Sequence, residues 1–398
     1  MTSPRDASPI ATSSICSKQQ RPASVLVVFG TRPEAIKLCP LIQALKRQAS
    51  FETFVCVTAQ HRQMLDQVLT VFGVKPDFDL DLMQPGQTLA ALSARLLSGL
   101  EKVFSEVCPS LAIVQGDTTT TLCAALCAFY ARVPIAHVEA GLRTFDMAAP
   151  FPEEMNRVLT SRIAALHFAA TEWAAQNLRS EGVARQNIFI TGNTGIDAVL
   201  SIRDALAAGR LRGMDIPLDP KRKLVVVTAH RRESFGPGFV NICQAVAELA
   251  QRDDVQIVWP VHPNPNVKQA VEQALRAKTN VQLIEPLDYL PFVGLMRQAY
   301  LIITDSGGVQ EEGPSLGKPI LVLRDKTERP EAVEAGTVKL VGTDQAAIVR
   351  EAVRLLVDSA EYERMARLHN PYGDGQASAR ISQHILDYLP QHAPRPLT

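Results

Sequence analysis

Polar side chains able to do chemistry recur at one kind of place in this sequence, the end of an apolar run that is typical of a β-strand. Helical patterns follow these runs, so the strands are expected to be parallel, with their carboxyl ends along one edge of a sheet. That edge is where open α/β folds bind their ligands. The residues at these places are Arg32, His61, Asp117, Glu139, His230, His262 and Ser306.

Taken one at a time, the acidic residues also have structural explanations. Asp117 could cap the helix that begins at Thr118, since aspartate is a favoured N-cap. Glu139 could pair with Arg143, and Glu153 could be a first-turn acid favoured by the helix dipole. Their common location favours one ligand cleft over several unrelated explanations.

The stretch from Thr304 to Glu312 has its own binding pattern. It lies between two apolar runs, at 300–303 and 320–323, and predicts a strand, a tight turn and a short helix. Ser306, Gly307 and Gly308 then stand at a helix N-terminus, where free N–H groups and the dipole favour a phosphate. Glu312, one helical turn beyond Gly308, suits a pair of ribose hydroxyls. The alternative is an ordinary glycine-rich turn followed by a solvated acidic pair.

Carboxylates, a histidine and cations in one cleft suit a particular kind of reaction. Carboxylates can take a proton from carbon and return it, while cations and a helix N-terminus stabilise a departing diphosphate. His230 could take part, or could be a solvated loop histidine beside Arg231 and Arg232. The sequence contains no Walker loop, HExxH or CxxC motif. No GxGxxG turn follows the first strand either, which argues against a dehydrogenase.

Length and composition set limits on these hypotheses. At 398 residues the chain is too long for one ordinary core, so two domains are expected. Lys+Arg and Asp+Glu are both 41, and this balance argues against nucleic acid or an anionic membrane as partner. No apolar run nears the roughly eighteen residues that span a bilayer. We therefore expect a cytoplasmic protein.

The cysteines and the N-terminus carry little functional signal. The seven cysteines are scattered, which is typical of reduced core thiols and predicts neither a metal site nor a disulfide framework. Residues 1–22 are rich in Ser, Pro, Ala and Gln and lack the apolar segment of a signal peptide. We interpret them as a disordered tail.

The alternation of strand and helix patterns predicts an α/β protein with two parallel sheets that face each other across a cleft. The first domain is expected over 23–208, the linker over 209–222, the second domain over 223–375, and a C-terminal helix and tail over 376–398, packing back on the first domain. Residues 76–86 are expected to be a loop and 87–107 a helix. Helices from 344 and from 376 are expected to close the chain.

Eight motifs, taken in order, resemble one known family. They are Phe29-Gly-Thr-Arg-Pro-Glu-Ala-Ile-Lys37, Thr58-Ala-Gln-His-Arg62, Gly116-Asp-Thr-Thr-Thr120, His137-Val-Glu-Ala-Gly-Leu-Arg-Thr144, Pro152-Glu-Glu-Met-Asn-Arg157, Thr228-Ala-His-Arg-Arg-Glu233, Thr304-Asp-Ser-Gly-Gly308 and Thr327-Glu-Arg-Pro-Glu331. The chain from about 24 to 388 thereby resembles the non-hydrolysing bacterial UDP-N-acetylglucosamine 2-epimerases.

The resemblance implies a GT-B fold of two Rossmann-like domains and an enzyme that interconverts UDP-GlcNAc and UDP-ManNAc without NAD or any other cofactor. In that family the C2 proton is removed, UDP leaves by anti elimination, and the 2-acetamidoglucal intermediate takes UDP back with the opposite configuration. The expected partners are UDP-GlcNAc, UDP-ManNAc, UDP and a second copy of the chain. The expected role is to supply ManNAc units for surface polysaccharide.

The resemblance also implies roles for individual residues. The catalytic positions are Asp117, Glu139, Glu153 and His230. The UDP-binding positions are Arg32, Lys37, Phe292, Ser306, Gly307, Gly308, Glu312 and Arg329. A second, regulatory UDP-GlcNAc is expected at Gln60, His61, Arg62 and Met64. Leu287 and Gly195 depart from the family pattern, where Gln and Val occur.

Three other functions share some of these features. A hydrolysing 2-epimerase would release ManNAc and UDP, but the Gln60-His61-Arg62 motif is tied by the resemblance to non-hydrolysing members. A GT-B glycosyltransferase would share the UDP site, but it needs an acceptor groove and has no use for carboxylates around Glu139 and Glu153. A non-catalytic nucleotide-sugar sensor would not need the acids. The sequence leaves open which carboxylate removes the proton.

Overall fold

Two parallel sheets make up the protein. The computed structural model describes residues 22–58, 62–84, 86–229, 236–327 and 329–391, without the side chains of Gln63 and Asn266. Gln60, His61 and His230, together with residues 1–21, lie outside these ranges. Within the described part, no helix is both long enough and apolar enough to cross a membrane.

The first sheet has seven strands in the order β3-β2-β1-β4-β5-β6-β7. Its strands are β1 (Ala23–Phe29), β2 (Phe51–Val57), β3 (Phe78–Asp79), β4 (Leu111–Gln115), β5 (Ile135–Val138), β6 (Leu166–Ala169) and β7 (Ile188–Ile190). Its helices are α1 (Arg32–Lys46), α2 (Arg62–Phe72), α3 (Leu89–Val107), α4 (Thr119–Tyr130), α5 (Glu153–Ile163), α6 (Glu172–Ser180) and α7 (Thr194–Ala207).

The second sheet has six strands in the order β10-β9-β8-β11-β12-β13. Its strands are β8 (Lys223–Thr228), β9 (Val255–Pro260), β10 (Val281–Ile284), β11 (Leu301–Thr304), β12 (Ile320–Val322) and β13 (Val338–Leu340). The remaining helices are α8 (Pro237–Leu249), α9 (Pro265–Leu275), α10 (Tyr289–Gln298), α11 (Gly307–Glu312), α12 (Pro330–Glu334), α13 (Gln345–Val357), α14 (Ser359–Ala366) and α15 (Ala377–Tyr388). The predicted architecture of two parallel α/β sheets is confirmed.

The strand order explains where a ligand can bind. In each sheet the chain starts in the middle, adds strands to one side, and then returns to the middle to add strands on the other side. The order therefore reverses between β1 and β4, and again between β8 and β11. Loops leave such a switch point in opposite directions and open a crevice at the carboxyl ends of the strands. Arg32 and Asp117 flank the first switch point, and Ser306 follows β11 at the second.

Two elements of the structure were not predicted from the sequence. Phe78–Asp79, inside the expected loop, pairs with β2 through Cys56 and Val57. A strand of two residues is too short for hydrophobic alternation to reveal it. Helix α14, between the two expected closing helices, was also missed.

The last helix returns to the first sheet. α15 packs against α1 and α7. Asp197 on α7 accepts hydrogen bonds from the backbone N–H groups of Ala377 and Ser378 at 3.2 and 2.8 Å. Before α15, the carbonyl oxygen of Tyr372 accepts a hydrogen bond from the backbone N–H of Asn193 at 2.7 Å. The chain thus crosses twice between the sheets, and the second crossing runs beside the cleft. The domain bounds proposed from sequence stay a prediction.

A close backbone approach fixes the loop that follows β5. Glu139 has a φ of 62° and Gly141 one of 93°. A Cβ on Gly141 would lie 2.2 Å from the carbonyl oxygen of Ala174 on α6, a distance that no side chain tolerates. Only glycine allows α6 to pack this close, and the packing holds the Glu139 backbone in the left-handed region.

Gly141→Ala should therefore lower the free energy of unfolding by about 3 kcal/mol or more, the sum of left-handed strain and overpacking. Gly182→Ala is the matched control, because Gly182 has a φ of 88° but nothing within 4 Å of the new Cβ. It should lose only the strain, about 1–2 kcal/mol. Urea unfolding of both variants measures the difference, and equal losses would contradict the close approach.

Candidate active site

The carboxyl edges of the two sheets face a cleft, and several predicted site residues line it. One cavity of about 420 Å³ is bordered by the first domain alone. Arg32 and Lys37 reach it from α1, Asp117 from the turn after β4, Glu139 from the turn after β5 and Met64 from α2. Residues up to 107 positions apart in sequence, from Arg32 to Glu139, are thereby brought to one surface.

A buried carboxylate that was not predicted as a site residue organises the first turn. Glu34 is only 2% exposed and forms a capping box with Thr31 at the start of α1. Its carboxylate accepts from the backbone N–H of Gly30 at 3.1 Å and from the Thr118 hydroxyl at 2.9 Å. It therefore ties the turn after β1 to the turn after β4. The Thr-x-x-Glu spacing of Thr31 and Glu34 was the signal that could have revealed it.

Glu139 is held by donors from three different elements. Lys37 on α1 forms a salt bridge with one carboxylate oxygen, Oε1. Gln115 Nε2 donates to Oε2 at 2.5 Å and Asn193 Nδ2 to Oε1 at 3.1 Å. Burial alone would raise the pKa of Glu139, but the charge and hydrogen bond of Lys37, with the charges of Arg329 and Arg157, lower it below its usual value.

Asp117 has different surroundings. Its carboxylate pairs with Arg157 at 2.7 Å, and its carbonyl oxygen accepts from Asn156 Nδ2 at 2.8 Å. Burial raises the pKa of Asp117, the charge of Arg157 opposes this, and the charges of Glu139 and Glu153 add to the rise. The pKa values of two of the predicted catalytic acids, Asp117 and Glu139, therefore shift in opposite directions. The partly buried Glu153 begins α5 close to Asp117.

Two structural explanations that the sequence left open are now excluded. The N-cap of α4 is Thr118, whose side chain accepts from the backbone N–H of Thr121 at 3.1 Å, so Asp117 is free of that role. Arg143 forms an ion pair with Glu181 at 2.7 Å, and Glu139 pairs instead with Lys37. Both Asp117 and Glu139 line the first-domain cavity instead.

The second sheet contributes the expected turn. Ser306 is the N-cap residue of α11, the buried Gly307 and exposed Gly308 begin the helix, and the backbone N–H of Ser306 donates to Thr304 Oγ1 at 3.0 Å. The Arg329 guanidinium lies directly over Gly307, where a Cβ would come within 2.6 Å of it. A Cβ at position 307 would therefore displace the guanidinium from this position.

Arg329 is held in place by a neighbouring acid, Glu311. The sequence indicated Glu311 only as one member of an acidic pair with Glu312. Glu311 accepts from Arg329 Nε at 2.5 Å and is 6% exposed. Burial lowers the pKa of Arg329, and the Glu311 charge and hydrogen bond outweigh this and raise it. The next residue of α11, Glu312, is partly buried. Burial and the Glu311 charge raise its pKa to about 8.

The predicted uracil-side residue Phe292 and its neighbour Tyr289 both belong to α10. Phe292 is partly buried on α10 and packs against the core between the two sheets. Tyr289, at the start of the same helix, faces Glu312, and burial followed by the charge of that carboxylate raises the pKa of the Tyr289 hydroxyl well above its usual value. Glu312 and Phe292 are thus placed on adjoining elements of the second domain.

The two halves of the cleft are in direct contact. Asn193 Nδ2 donates to Glu311 Oε2 at 3.1 Å as well as to Glu139. Thr171 Oγ1, at the start of α6, donates to Glu331 Oε1 at 2.8 Å, and the Tyr372 hydroxyl donates to Glu331 Oε2 at 3.1 Å. The sequence analysis gave no role to Asn193, Glu311 or Glu331, because these contacts join residues that are far apart in the chain.

The proposed regulatory positions are described only in part. Arg62 is exposed and pairs with Asp79 at 2.6 Å, with Asp66 at 3.4 Å and with Asp81 at 3.8 Å. Met64 lines the first-domain cavity and also a second cavity of about 380 Å³, which lies between α2 and the start of α10. Gln60 and His61 immediately precede these residues but fall outside the described ranges.

Breaking the Lys37–Glu139 pair tests the electrostatics of the site. Lys37→Met should lower the free energy of unfolding by about 2–4 kcal/mol at neutral pH, since it leaves a largely buried carboxylate without its cation. Lys46→Met, an exposed position on the same helix, should cost less than about 1 kcal/mol. Urea unfolding of both variants at pH 7 gives the comparison.

The pH dependence of this difference follows from the direction of each shift. The lowered pKa of Glu139 contributes stability above its usual value of 4.5, and that stability is lost as the pH falls through the lowered value. The raised pKa of Lys37 contributes below 10.5 and is lost as the pH rises further. The wild-type advantage should be largest between these two limits and should shrink as the pH falls through the lowered pKa of Glu139. An advantage that grew on acidification would contradict the pairing.

Comparisons with known proteins agree with this geometry. A family model described as UDP-N-acetylglucosamine 2-epimerase matches residues 43–386. The UDP-N-acetylglucosamine 2-epimerase of Escherichia coli strain K12 is 58% identical over 363 residues, which cover 90% of this chain and 96% of that protein. The family resemblance carried by the sequence motifs is thereby confirmed.

Solved structures extend the likeness to three dimensions. The UDP-GlcNAc 2-epimerase of Neisseria meningitidis bound to UDP-GlcNAc has a TM-score of 0.81 at 46% identity, covering 92% of this chain and 100% of that one. The Methanocaldococcus jannaschii UDP-GlcNAc 2-epimerase in complex with UDP-GlcNAc and UDP has a TM-score of 0.71 at 33% identity, covering 92% and 99%.

A more distant structure bears on the fold alone. The glycotransferase of kitacinnamycin shares 13% identity at a TM-score of 0.63, covering 94% of this chain and 100% of that one. The two-domain GT-B architecture expected from the sequence is therefore confirmed. With its strand order, its cleft and these matches, the chain belongs to the UDP-N-acetylglucosamine 2-epimerase family.

Proposed function

We propose that this protein is a non-hydrolysing UDP-N-acetylglucosamine 2-epimerase, which interconverts UDP-GlcNAc and UDP-ManNAc by removing the C2 proton, eliminating UDP and adding it back. The observation that carries the proposal is the hydrogen-bonded contact between a carboxylate of the first domain and the cation-bearing turn of the second. Asn193 bridges Glu139 to Glu311, and Glu311 holds Arg329. Proton transfer and diphosphate departure need such groups around one ligand.

The opposite pKa shifts suggest different tasks for the two acids. A general base works best when its pKa lies near the working pH. Asp117, whose pKa is raised, is therefore the better base in this state, whereas Glu139 stays ionised in its cradle of donors. Inversion at C2 requires a second proton carrier on the other face of the sugar. Glu139 can become that carrier if a donor is withdrawn, and Glu153 and His230 are the other candidates.

Departure of UDP places negative charge on the diphosphate. Arg329 and Lys37 are cations at the cleft, and the free N–H groups after Ser306 lie beside Arg329. Such fixed donors stabilise charge that develops in the transition state. Glu312, kept partly buried beside Tyr289, would receive the ribose hydroxyls, and Phe292 would border the uracil. In N. meningitidis the related enzyme was solved with UDP-GlcNAc bound.

Three alternatives compete with this function. A hydrolase would release free ManNAc, a glycosyltransferase would need an acceptor, and a sensor would bind without turnover. The acids clustered at Asp117 and Glu139 favour chemistry at the sugar over the last two. A UDP-ManNAc product would feed enzymes that transfer ManNAc units to surface polysaccharide.

Incubation with UDP-GlcNAc alone is the decisive experiment. We expect UDP-ManNAc to appear without added NAD, metal or acceptor, and solvent deuterium to enter C2 during turnover in D₂O. NMR follows both events in one sample. Free ManNAc would identify the hydrolytic reaction instead. Product that kept a full C2 proton in D₂O would reject proton abstraction.

Arg329 should carry much of the nucleotide affinity. Arg329→Ala removes a charge-assisted donor worth roughly 1.5–3 kcal/mol, so UDP should bind about tenfold to a hundredfold more weakly by calorimetry. Arg329→Lys keeps the charge but loses the planar fork, and should fall between the two. Arg350→Ala, exposed on α13, is the control and should bind UDP like the wild type. Unchanged UDP affinity in a folded Arg329→Ala protein would show that the diphosphate does not bind at Arg329.

We also propose that Gln60, His61, Arg62 and Met64 hold a second, regulatory UDP-GlcNAc. The cavity between α2 and α10 supports this, because it joins the two domains and adjoins Met64. A ligand there would favour closure by its greater affinity for the closed form. The alternative is a surface segment that serves only to begin α2, in which case kinetics in UDP-GlcNAc would be hyperbolic.

Variants of Arg62 and of its ion-pair partner Asp79 should change activation by UDP-GlcNAc in opposite directions. Wild-type kinetics in UDP-GlcNAc should be sigmoidal, with little turnover of UDP-ManNAc until traces of UDP-GlcNAc are added. Arg62→Ala should lose this activation more than it loses UDP affinity. Asp79→Asn releases the 2.6 Å ion pair of Arg62 and should lower the UDP-GlcNAc concentration needed for activation. Hyperbolic wild-type kinetics with full activity on UDP-ManNAc alone would reject the regulatory site.

The expected homodimer has support on the outer face of the first domain. Phe129 and Tyr130, at the end of α4, are 56% and 72% exposed, and Leu159 on the adjoining α5 is 43% exposed. We propose that a second copy of the chain covers these side chains, since adjoining large apolar groups mark contact surfaces.

A further inference from the structure

Asn193 occupies an unusual position between two acids. It is the N-cap of α7, is 4% exposed, and follows β7 at the edge of the cleft. Its Oδ1 accepts from the backbone N–H of Gly195 at 2.8 Å, as an N-cap side chain should. Its Nδ2 donates to Glu139 and to Glu311, each at 3.1 Å. One amide group therefore joins a carboxylate of the first domain to a carboxylate of the second.

Each of these acids has a cation on its far side. Lys37 pairs with Glu139, and Arg329 pairs with Glu311 at 2.5 Å. The result is a continuous chain of contacts, Lys37–Glu139–Asn193–Glu311–Arg329, that crosses the domain boundary. The buried carboxylate of Glu311 and the partly buried carboxylate of Glu139 would repel each other without the shared amide between them, because like charges interact strongly away from water.

We propose that Asn193 is a positioning residue that transmits the engagement of Arg329 by the nucleotide diphosphate to Glu139. This inference rests on the proposed function, in which Arg329 binds the diphosphate and Glu139 acts at the sugar. When Arg329 turns to the diphosphate, Glu311 loses its cation and attracts the Asn193 amide more strongly. Glu139 then loses part of a hydrogen bond that stabilises its ionised form. Loss of that donor makes Glu139 a stronger base, at the moment when the sugar is in place.

The variant Asn193→Asp separates this role from a structural one. Aspartate has the same shape, keeps the acceptor for the Gly195 N–H and is as good an N-cap as asparagine. It removes the donor and adds a third carboxylate between the other two. The added charge should compete for Arg329 and repel the diphosphate, while Glu139 loses its bridge.

A second variant should change nucleotide affinity differently. Glu311→Gln keeps the shape but removes the negative charge that holds Arg329, so Arg329 can still turn to the diphosphate. It also removes the charge that would draw the amide away from Glu139. Nucleotide affinity should therefore be kept while turnover falls, a split that general loss of structure does not produce.

Tyr372→Phe is the matched control. It removes one hydrogen bond at the same domain boundary, the 3.1 Å contact with Glu331, and leaves the Asn193 bridge intact. It also retains the backbone contact between the Tyr372 carbonyl oxygen and the Asn193 N–H. Its turnover and UDP affinity should stay within about fivefold of the wild type, as for one modest hydrogen bond.

Three measurements on each protein decide the proposal: thermal unfolding, UDP affinity by calorimetry, and kcat with KM for UDP-GlcNAc. Loss of a charge-assisted bond predicts, for Asn193→Asp, UDP binding about tenfold weaker or more and kcat about thirtyfold lower or more, with folding retained. Glu311→Gln should lose about tenfold or more in kcat, with UDP affinity within about threefold of the wild type.

The proposal is overturned if folded Asn193→Asp keeps wild-type UDP affinity, or if Tyr372→Phe loses as much kcat as Asn193→Asp. It is also overturned if Glu311→Gln loses UDP affinity in proportion to kcat. Failure of the proposed function would look different, because the wild type itself would then form no UDP-ManNAc. In that case the UDP affinities of the three variants still decide whether Asn193 couples the two domains.

Discussion

The arrangement of the cleft depends on one partly buried carboxylate, that of Glu139, being kept ionised. Glu139 receives donors from α1, from the end of β4 and from the start of α7. An ionised carboxylate out of water costs several kcal/mol unless it is paired and hydrogen-bonded. Each of these donors must therefore be held in place by the helix or strand that carries it. Three βα units are thereby linked through the Glu139 carboxylate.

The backbone around Glu139 is also held in one conformation. Gly141 allows α6 to approach the loop after β5, and Glu139 itself takes a left-handed conformation. Such conformations persist only where the surrounding structure enforces them. Capping of α1 by Thr31 and Glu34 adds a second fixed point, since the buried Glu34 also binds the turn that carries Asp117. The carboxylates of the first domain, although they lie in turns, are thus held in place by packing and hydrogen bonds.

The domain boundary is polar where it meets the cleft. Asn193, Glu311, Arg329, Glu331, Thr171 and Tyr372 form its hydrogen bonds. A boundary of this kind can be rearranged by a charged ligand, because the ligand offers the same groups an alternative partner. An apolar boundary of equal size would hold the domains more firmly and would respond less to a diphosphate. The chemistry of the boundary therefore suits an enzyme whose ligand touches both halves.

Much of this protein could be predicted from sequence, because the relevant signals are local. Strand and helix periods predicted two α/β domains, and the ends of apolar strands placed Arg32, Asp117, Glu139 and Ser306 at the carboxyl edges of their sheets. The family motifs predicted the same two domains and the same four residues. Periodicity missed only short or irregular segments, such as the two residues of β3 and the eight-residue α14.

The partners of the charged groups were decided by tertiary structure alone. Glu139 had a cation four residues away in Arg143, yet it pairs with Lys37, which is 102 positions distant, while Arg143 pairs with Glu181. Asn193 and Glu311 are 118 positions apart and meet only because two sheets face each other. A sequence shows which side chains stand at the end of each strand. It does not show which of them meet, because electrostatic pairing depends on distances of a few ångströms that only the packed fold determines.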